Sequence, residues 1–367
     1  MKAGKSDRKN TLLLGVSILF SLLLLELGLR SFTPFPIHGE MANRVVHPLL
    51  GYTLDPSAGE VDADGFRNPA ADGRYDIVVI GDSHTQGFNV RSAESFPYQL
   101  ADLLGVAVYN LGVGGYSIYQ YPYLAELARE KSPAIVLLAL LPSNDLLRSL
   151  PDNEYLAAIP GVDLEAVPEK RIAGRLERKS ISPGDLLKSN LAVVSAVSYL
   201  NNKRTSNDTS YYEIGGQAIQ KKRVTEHQKY ADLSDPVVAS SFRNSLAILD
   251  YINSNLQQNG IQFGVVMLPS KELILQKWAQ AGNIPLPDGY NVTNEEELTG
   301  AWLEYFANAG INFIDATPFV LEAFGVDTKS AKIFYPRGDG HPFASGYQSY
   351  ARAAAALVRE IDKGHMP

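Results

Sequence analysis

The side chain best placed for nucleophilic chemistry is Ser83, in the segment Tyr75–Gly87 (YDIVVIGDSHTQG). The apolar, β-branched run 76–80 predicts a buried strand that ends just before this serine. A serine on the turn leaving a buried parallel strand lies at the edge of the sheet where ligands bind. Its hydroxyl and backbone N–H can then point to one place, as acyl transfer requires. The alternative is that Asp82 and Ser83 only form a turn or cap a helix.

A serine hydroxyl needs a base to take its proton, and the candidate is His341. It is one of six histidines and lies in a loop rich in glycine and proline, Tyr335–Tyr347. Asp339 stands two positions before it, and an acid beside a histidine can fix the imidazole tautomer and stabilise its charged form. The alternative is an Asp-Gly turn with an exposed histidine. His84 adjoins Ser83 and is expected to line the site rather than to act as the base.

Two further strand ends offer donors for a negatively charged oxygen. Val106–Leu111 predicts a strand that leads into a glycine-rich loop, and Ala134–Leu141 predicts a strand followed by Asn144. A glycine N–H and an asparagine amide are suitable oxyanion donors, although such turns are common after strands. The order along the chain is strand and Ser, strand and Gly, strand and Asn, and last Asp with His.

This order resembles that of the SGNH (GDSL-type) hydrolase superfamily, in particular its membrane-anchored bacterial members. The four blocks of the family are matched at 81–83 (GDS), 110–115 (NLGVGG), 143–145 (SND) and 339–341 (DGH). The resemblance implies a catalytic triad of Ser83, His341 and Asp339. It also implies an oxyanion hole made of the N–H groups of Ser83 and Gly115 and the amide of Asn144. It implies no metal ion and no organic cofactor.

Two positions depart from the family pattern. Pro142 stands where the third block usually has glycine, two positions before Asn144, and a proline would stiffen the loop that carries this donor. Asp339 and His341 are separated by one residue, whereas the family often has two between them. The shorter spacing still allows the two side chains to meet.

The rest of the pattern predicts an α/β fold. Runs at 261–268 and 311–314 predict two more strands, and helices are predicted over 237–258, 298–309 and 347–361. Strands alternating with helices predict a doubly wound parallel sheet of about five strands. The resemblance implies that this sheet is the flavodoxin-like SGNH fold.

The domain organisation is expected to be simple. The SGNH-type domain spans 75–361, and 32–74 is a stem that wraps onto it. Residues from about 146 to 236 are polar and free of motifs, and they leave a strand at its carboxyl end. A structureless loop of that length is unusual in a compact domain, so a helical cap over the site is predicted.

The N-terminus predicts a membrane anchor. Four cations, at positions 2, 5, 8 and 9, precede the apolar run Thr11–Leu29, which only Glu26 interrupts. Its length suits one bilayer crossing, and no convincing cleavage site follows. We therefore expect a cytoplasmic segment 1–10 and a signal anchor 11–31 in the inner membrane, with the catalytic domain on the periplasmic or extracellular side. A buried core helix is the alternative.

Composition excludes several other classes. The formal charge is −7 and no basic run follows the N-terminus, which argues against nucleic acid as a partner. The chain has no cysteine, so a lipid-modified cysteine anchor, disulfides and cysteine-based metal sites are excluded. The expected partners are the membrane, through the N-terminal helix, and an acylated carbohydrate or other ester substrate, while the sequence leaves protein partners open.

The first expectation for function is an exported serine esterase that removes acyl groups, foremost O-acetyl, from cell-envelope or secreted carbohydrate. If a sugar hydroxyl instead of water attacks the acyl-serine, the protein is a polysaccharide O-acetyltransferase. A lipase or lysophospholipase is a third alternative. A non-catalytic polysaccharide-binding or assembly factor would keep the fold without turnover.

Overall fold

The predicted sheet is present in the structure, a computed structural model. It describes residues 4–32, 44–57, 60–69, 73–146, 153–165, 210–325, 334–336 and 338–362. Contacts between residues divide the chain into two units, residues 1–40 with 178–208 and residues 41–177 with 209–367. The sheet and all predicted site residues belong to the second unit.

The described residues form nine strands. They are β1 (Arg44–His47), β2 (Gly51–Leu54), β3 (Ile77–Gly81), β4 (Val108–Gly112), β5 (Ile135–Leu140), β6 (Tyr211–Ile214), β7 (Gln217–Gln220), β8 (Gln262–Met267) and β9 (Asn312–Asp315). The helices in the same residues are α1 (Gly4–Phe32), α2 (Ser83–Gln86), α3 (Phe96–Leu104), α4 (Tyr121–Glu130), α5 (Pro142–Asp145), α6 (Asn153–Ala157), α7 (Lys221–Tyr230), α8 (Pro236–Gln258), α9 (Lys271–Ala281), α10 (Thr293–Ala309), α11 (Thr317–Phe324) and α12 (Ala344–Asp362).

Five of these strands form one parallel sheet in the order β4-β3-β5-β8-β9. Ile77 of β3 is paired with Val108 of β4 on one side and with Ile135 of β5 on the other. In order of appearance the strands run 2-1-3-4-5, which is the flavodoxin-like order. The chain therefore runs from β3 to β4 on one side, and the next strand, β5, lies on the other side of β3. Ligands bind at such a switch point in the strand order. The prediction of a five-stranded parallel sheet is confirmed.

Helices cover both faces of the sheet because alternate residues of a strand point to opposite sides. Val78 and Ile248 lie in the apolar core on one face, which α4, α8 and α10 cover. Ile77 and Leu357 lie in the core on the other face, which α3, α9, α11 and α12 cover. This is the doubly wound arrangement that the alternation of strands and helices predicts.

Local sequence sets the ends of the predicted helices. At the start of α8, the Asp235 carboxylate accepts hydrogen bonds from the N–H groups of Val237 and Val238. Pro236 takes the first helical position, where its missing N–H costs nothing. A second helix, α10, ends at Gly310, which adopts φ +65° in the left-handed region that glycine tolerates.

The segment expected to be a stem contributes a hairpin to the second unit. Strands β1 and β2 are antiparallel, with Arg44 opposite Leu54. Arg44 and Tyr52 both donate to the carbonyl oxygen of Gly114, at 2.5 Å and 2.9 Å. The hairpin is thus bonded to the glycine-rich loop that follows β4.

The predicted cap is described only at its two ends. Residues 147–152 and 166–209 of the range 146–236 lie outside the described residues. The described ends contain α6 and α7, as a helical cap requires, and also the antiparallel hairpin β6–β7, which the sequence did not predict.

The first unit is described through α1 alone. The helix covers the predicted anchor at 11–31, and its side chains Leu19 and Phe20 are 68% and 58% exposed. Among the described residues, no helix combines the length and the hydropathy of a membrane crossing. The structure supports the helical part of the anchor prediction and does not support its transmembrane part.

Candidate active site

Ser83 is the first residue of α2, directly after strand β3. Asp82 caps this short helix, because its Oδ1 accepts from the His84 N–H at 2.9 Å. The helix lies against β4 at Gly112, where a Cβ would come within 2.4 Å of the backbone nitrogen of Gln86. The aspartate therefore caps a helix, as one of the two interpretations predicts, while the serine hydroxyl faces the histidine loop.

The three predicted triad residues lie within hydrogen-bonding distance of one another. Ser83 Oγ is 2.8 Å from His341 Nε2, across 258 residues of chain. His341 Nδ1 is 2.7 Å from Asp339 Oδ1, which also accepts from the His341 backbone N–H at 2.9 Å. With Nδ1–H donated to the carboxylate, Nε2 is left to accept the serine proton. The one-residue spacing between Asp339 and His341 is what allows both of these contacts.

The carboxylate of Asp339 is held in its charged form. Burial disfavours the charge, but the His341 imidazole and hydrogen bonds from His341 and Asn89 outweigh it and lower the Asp339 pKa far below its ordinary value. Asn89 Nδ2 donates to Asp339 Oδ2 at 3.1 Å. The acid beside the base is therefore ionised throughout the range in which a histidine titrates.

The loop that carries Asp339 is also held through its backbone. Lys271, 1% exposed, donates to the carbonyl oxygens of Asp339 (3.2 Å), Pro336 (2.9 Å) and Ala218 (2.9 Å). Its three N–H donors thus join the histidine loop to the hairpin β6–β7. Burial lowers the pKa of Lys271 to about 7, against the attraction of Glu272 and Asp339, while the three carbonyl dipoles favour the ammonium form.

Asn144 lies beside the serine, at the end of β5. Its Nδ2 donates to Asp82 Oδ2 at 2.6 Å and to Asp145 Oδ1 at 3.2 Å. The same Asp82 oxygen is 3.3 Å from Ser83 Oγ, so the amide and the hydroxyl meet at one carboxylate. Pro142 is the first residue of α5, a position where proline is well tolerated, so it is compatible with this geometry.

The pKa values of the two carboxylates around Asn144 are shifted in opposite directions. Burial opposes ionisation of Asp82, but its contacts with His84 and the nearby His341 lower the Asp82 pKa to about 2. Burial, with the charge of Asp82, raises the Asp145 pKa well above its ordinary value. Asp145 Oδ2 accepts from the Tyr121 hydroxyl at 2.8 Å and from the Leu141 N–H at 3.1 Å, which fixes the loop.

Gly115 lies in the turn after β4, with φ +88°, a conformation that favours glycine. The neighbouring Gly114 N–H donates to Gln86 Oε1 at 2.6 Å, which ties this turn to the serine helix. The structure thus places the turn of Gly115 next to α2. The role of the Gly115 N–H as an oxyanion donor stays a prediction.

Two aromatic rings contact the imidazole of His341. The His84 ring centroid is 4.6 Å from it, and the Phe88 ring centroid is 4.7 Å from it. Burial lowers the His84 pKa, and proximity to His341 lowers it further against the pull of Asp82. His84 therefore lines the site, as expected, and does not contact the Ser83 hydroxyl.

A turn that precedes β3 in the chain hydrogen-bonds to the loop after α2 and to β4. Arg67 donates to the carbonyl oxygens of Gly87 at 2.7 Å and Val90 at 2.8 Å, both in the loop after α2. Asn68 donates to the Asn110 carbonyl oxygen at 3.0 Å and accepts from the Asn110 N–H at 2.9 Å. The sequence does not predict Arg67, Asn68 and Asn89 as site residues, because their hydrogen-bond partners lie far away in the chain or belong to no motif.

One family model matches the last part of the chain. A family model described as the SGNH hydrolase-like domain of the acetyltransferase AlgX matches residues 226–365, which include Asp339 and His341. The resemblance to SGNH hydrolases is confirmed. The match begins after Ser83, Gly115 and Asn144, and it is the structure that places Ser83 against the matched His341. The comparison with curated proteins found no match.

Several solved structures are similar to the chain. A lipolytic-type protein of the G-D-S-L family from Desulfitobacterium hafniense DCB-2 is 12% identical, with 77% of this chain and 98% of that chain covered and a TM-score of 0.38. A GDSL-like lipase from Bacteroides thetaiotaomicron VPI-5482 is 10% identical, with 77% and 87% covered and a TM-score of 0.35. A family two carbohydrate esterase from Clostridium thermocellum, solved with cellohexaose, is 11% identical, with 79% and 66% covered and a TM-score of 0.34.

Proposed function

We propose that the protein is a serine acyl-transfer enzyme that removes O-acetyl groups from carbohydrate through an acyl-serine intermediate. The observation that carries this proposal is the 2.8 Å contact between Ser83 Oγ and His341 Nε2, with Asp339 2.7 Å from the other ring nitrogen. A nucleophile, a base and an orienting acid in this relation are the arrangement that activates serine for attack on an ester.

In the first step, Ser83 Oγ attacks the ester carbonyl while His341 Nε2 takes the hydroxyl proton. Such general-base assistance contributes about 10²–10⁴-fold in rate. The negative charge that forms on the carbonyl oxygen is stabilised by the N–H groups of Ser83 and Gly115 and by the Asn144 amide, which must turn from one of its two carboxylate partners, Asp82 or Asp145, to reach it. The ionised Asp339 stabilises the imidazolium that results.

The tetrahedral intermediate then collapses, because the bond between the carbonyl carbon and the sugar oxygen breaks as His341 gives its proton to that oxygen. The acyl-serine remains. An acceptor then attacks the acyl-serine, with His341 again taking a proton. Water as the acceptor completes ester hydrolysis, and a sugar hydroxyl as the acceptor completes O-acetyl transfer. All of the proton transfers use one imidazole, which the Asp339 carboxylate keeps in one tautomer.

Acetyl transfer is the second candidate, and the family match supports it. The matching family model is described as that of an acetyltransferase, AlgX. A non-catalytic binding factor is disfavoured, because it would have no need of a hydrogen-bonded Ser83, His341 and Asp339. The choice between water and a sugar hydroxyl depends on the acceptor that reaches the acyl-serine.

The test is hydrolysis of 4-nitrophenyl acetate by the full chain, purified with detergent present, beside its Ser83→Ala variant. Turnover in the first and none in the second is the expected result. Equal turnover in both would reject Ser83 as the nucleophile. An acetylated donor offered with an unacetylated oligosaccharide then separates the two candidates, since only a transferase adds an acetyl group to the oligosaccharide in place of releasing acetate.

We further propose that the site works outside the cytoplasm, with α1 as its tether to the inner membrane. The support is the order of cations and then a long apolar run, in a helix whose described leucines are exposed. Alkaline phosphatase fused after residue 362 should be active, since this reporter folds only after export. Activity of a cytoplasmic reporter at the same position would reject the proposal.

A further inference from the structure

One helix of the predicted cap, α7, contacts the loops on both sides of the proposed active site. Arg223 and His227 lie one turn apart on α7, so their side chains leave the same face. Both point to one oxygen of Glu272, with Arg223 Nε at 2.9 Å and His227 Nε2 at 4.0 Å. Glu272 is fully buried and is the second residue of α9, next to Lys271.

His227 reaches the loop of the oxyanion donor. Its Nδ1 is 2.9 Å from the hydroxyl oxygen of Ser143, which is buried and directly precedes Asn144. The same nitrogen is 3.6 Å from Glu295 Oε2. The groups that face the imidazole are therefore one hydroxyl, two carboxylates, from Glu272 and Glu295, and the guanidinium of Arg223.

Arg223 reaches the loop of the base. A Cβ built on Gly340 would lie 2.1 Å from Arg223 Nη2, so the guanidinium occupies the space that a side chain would need there. Gly340 is the single residue between Asp339 and His341. A side chain at this position would have to displace the Arg223 guanidinium, so glycine leaves room for the close approach of the arginine.

Charge holds these contacts together. Burial opposes protonation of His227, but the carboxylates of Glu272 and Glu295 outweigh it and raise the His227 pKa above its ordinary value. Both Glu295 oxygens and Oε2 of Glu272 are buried without a hydrogen-bond partner in the described residues. Removing a cation would leave these carboxylates uncompensated, and an uncompensated buried charge is strongly destabilising. Helix α7 is therefore costly to displace.

We propose that Arg223 and His227 are positioning residues for the acyl-transfer reaction. Through Glu272 they keep the loop of Asn144 and the loop of His341 at a constant separation. The reacting carbonyl must lie between an oxyanion donor on one loop and the base on the other, so this separation sets the catalytic geometry. The inference rests on the proposed function and adds the coupling of the two loops to it.

The test compares Arg223→Lys, His227→Gln and their alanine variants with the full chain in 4-nitrophenyl acetate hydrolysis. Each alanine variant should lower kcat by roughly 10–10²-fold with KM within about twofold, as expected for misplaced catalytic groups. The conservative variants should recover part of kcat. Lys222→Ala is the matched control, because Lys222 lies on the same helix but is 81% exposed. It should leave kcat unchanged.

A double-mutant cycle tests the route from His227 to the oxyanion loop. If His227 acts through the Ser143 hydroxyl, the pair Ser143→Ala and His227→Ala should lower kcat no more than the larger single effect. Additive losses would overturn that route. Where an alanine variant fails to fold in thermal unfolding, Arg223→Lys and His227→Gln decide, and full kcat in both folded variants would overturn the proposal.

The outcomes separate this inference from the proposed function. An inactive wild type whose Ser83 is not labelled by a fluorophosphonate would reject the function itself. An active wild type with unchanged kcat in all Arg223 and His227 variants would reject only the positioning role.

Discussion

Asn89 donates its side-chain amide to Asp339 Oδ2 at 3.1 Å, across 250 residues of chain. It does so from a left-handed backbone conformation, φ +66°, which is uncommon for residues other than glycine. The other carboxylate oxygen of Asp339 accepts two hydrogen bonds from His341. The acid of the proposed triad is therefore oriented through both of its oxygens.

Replacing Asn89 by glycine keeps the left-handed backbone accessible and deletes only the amide. We expect kcat for ester hydrolysis to fall by roughly tenfold, because a hydrogen bond to a charged group contributes about 1.5–3 kcal/mol and part of that orients His341. KM should stay the same, since Asn89 acts through Asp339. Steady-state kinetics on 4-nitrophenyl acetate measures both constants.

Asn89→Ala is the matched variant. It should lose the same activity, and it should also lose about 1 kcal/mol of unfolding free energy, since alanine is strained at this φ. Urea unfolding measures the second effect. An unchanged kcat in Asn89→Gly would show that Asp339 keeps its orientation without the amide.

Asn144→Ala tests the oxyanion assignment. The amide lies next to the nucleophile, because it shares the Asp82 oxygen with Ser83. Losing one oxyanion donor lowers turnover by roughly 10²–10³-fold, so kcat should fall by that amount with little change in KM. Asn253→Ala is the control, since that asparagine only bonds to Gln257 on the exposed side of α8. A rise in KM with normal kcat would instead indicate a role in substrate binding.

Gly112→Ala tests the packing of the serine helix on β4. The new Cβ would lie 2.4 Å from Gln86 N and 2.6 Å from the carbonyl carbon of Thr85, so the backbones of α2 and β4 must separate. Overpacking of this kind costs about 1–3 kcal/mol, and Ser83 should move with its helix. We expect both a lower unfolding free energy in urea and a lower kcat.

Gly300→Ala is the control for that substitution. Gly300 lies within α10, and a Cβ there meets nothing within 4 Å. This change should leave kcat unaltered and stabilise the helix by roughly 0.5–1 kcal/mol. Full activity in Gly112→Ala would mean that α2 tolerates the displacement.

Glu272→Gln tests the charges beneath α7 through pH. Burial opposes the charge of Glu272, but His227 and Arg223 lower its pKa to about 2. The unfolded chain should titrate near the ordinary value, about 4.3. Because the folded pKa is the lower one, ionised Glu272 stabilises the fold above about pH 4.3, and this contribution is lost as the pH falls towards 2.

We therefore expect Glu272→Gln to be less stable than the wild type at neutral pH, with the difference shrinking across that acidic window. Urea unfolding at a series of pH values measures the difference directly. A difference that stays constant from neutral pH down to about pH 2 would contradict the stabilisation of the fold by ionised Glu272.

Part of the fold and part of the site follow from local sequence. The run 76–80 predicts a strand because β-branched residues favour extended backbone and must be buried on both faces of a parallel sheet. The strand ends then place Ser83 and Asn144 at one edge, since all carboxyl ends of parallel strands meet there. The Asp339–His341 pair is also local, because the two residues are close in the chain.

The insertion shows where that reasoning stops. The length of the segment 146–236 predicts a helical cap, yet the hairpin β6–β7 occurs there beside helices. Its strands are short, and Lys271 holds one of them at the carbonyl oxygen of Ala218. A contact of that kind depends on tertiary structure, which overrides weak local propensity.

The sequence alone determined the features that depend on neighbouring residues. These are the buried strands, the capped helices, and the order of Ser, Gly, Asn, Asp and His along the chain. Only the tertiary structure decided which remote side chains complete the site. Arg67 donates to the loop after Ser83, and Asn89 donates to Asp339. Arg223 and His227 contact the loops of His341 and Asn144. Each of these contacts joins residues far apart in the chain, and no spacing in a sequence encodes a distance that exists only after the sheet has formed.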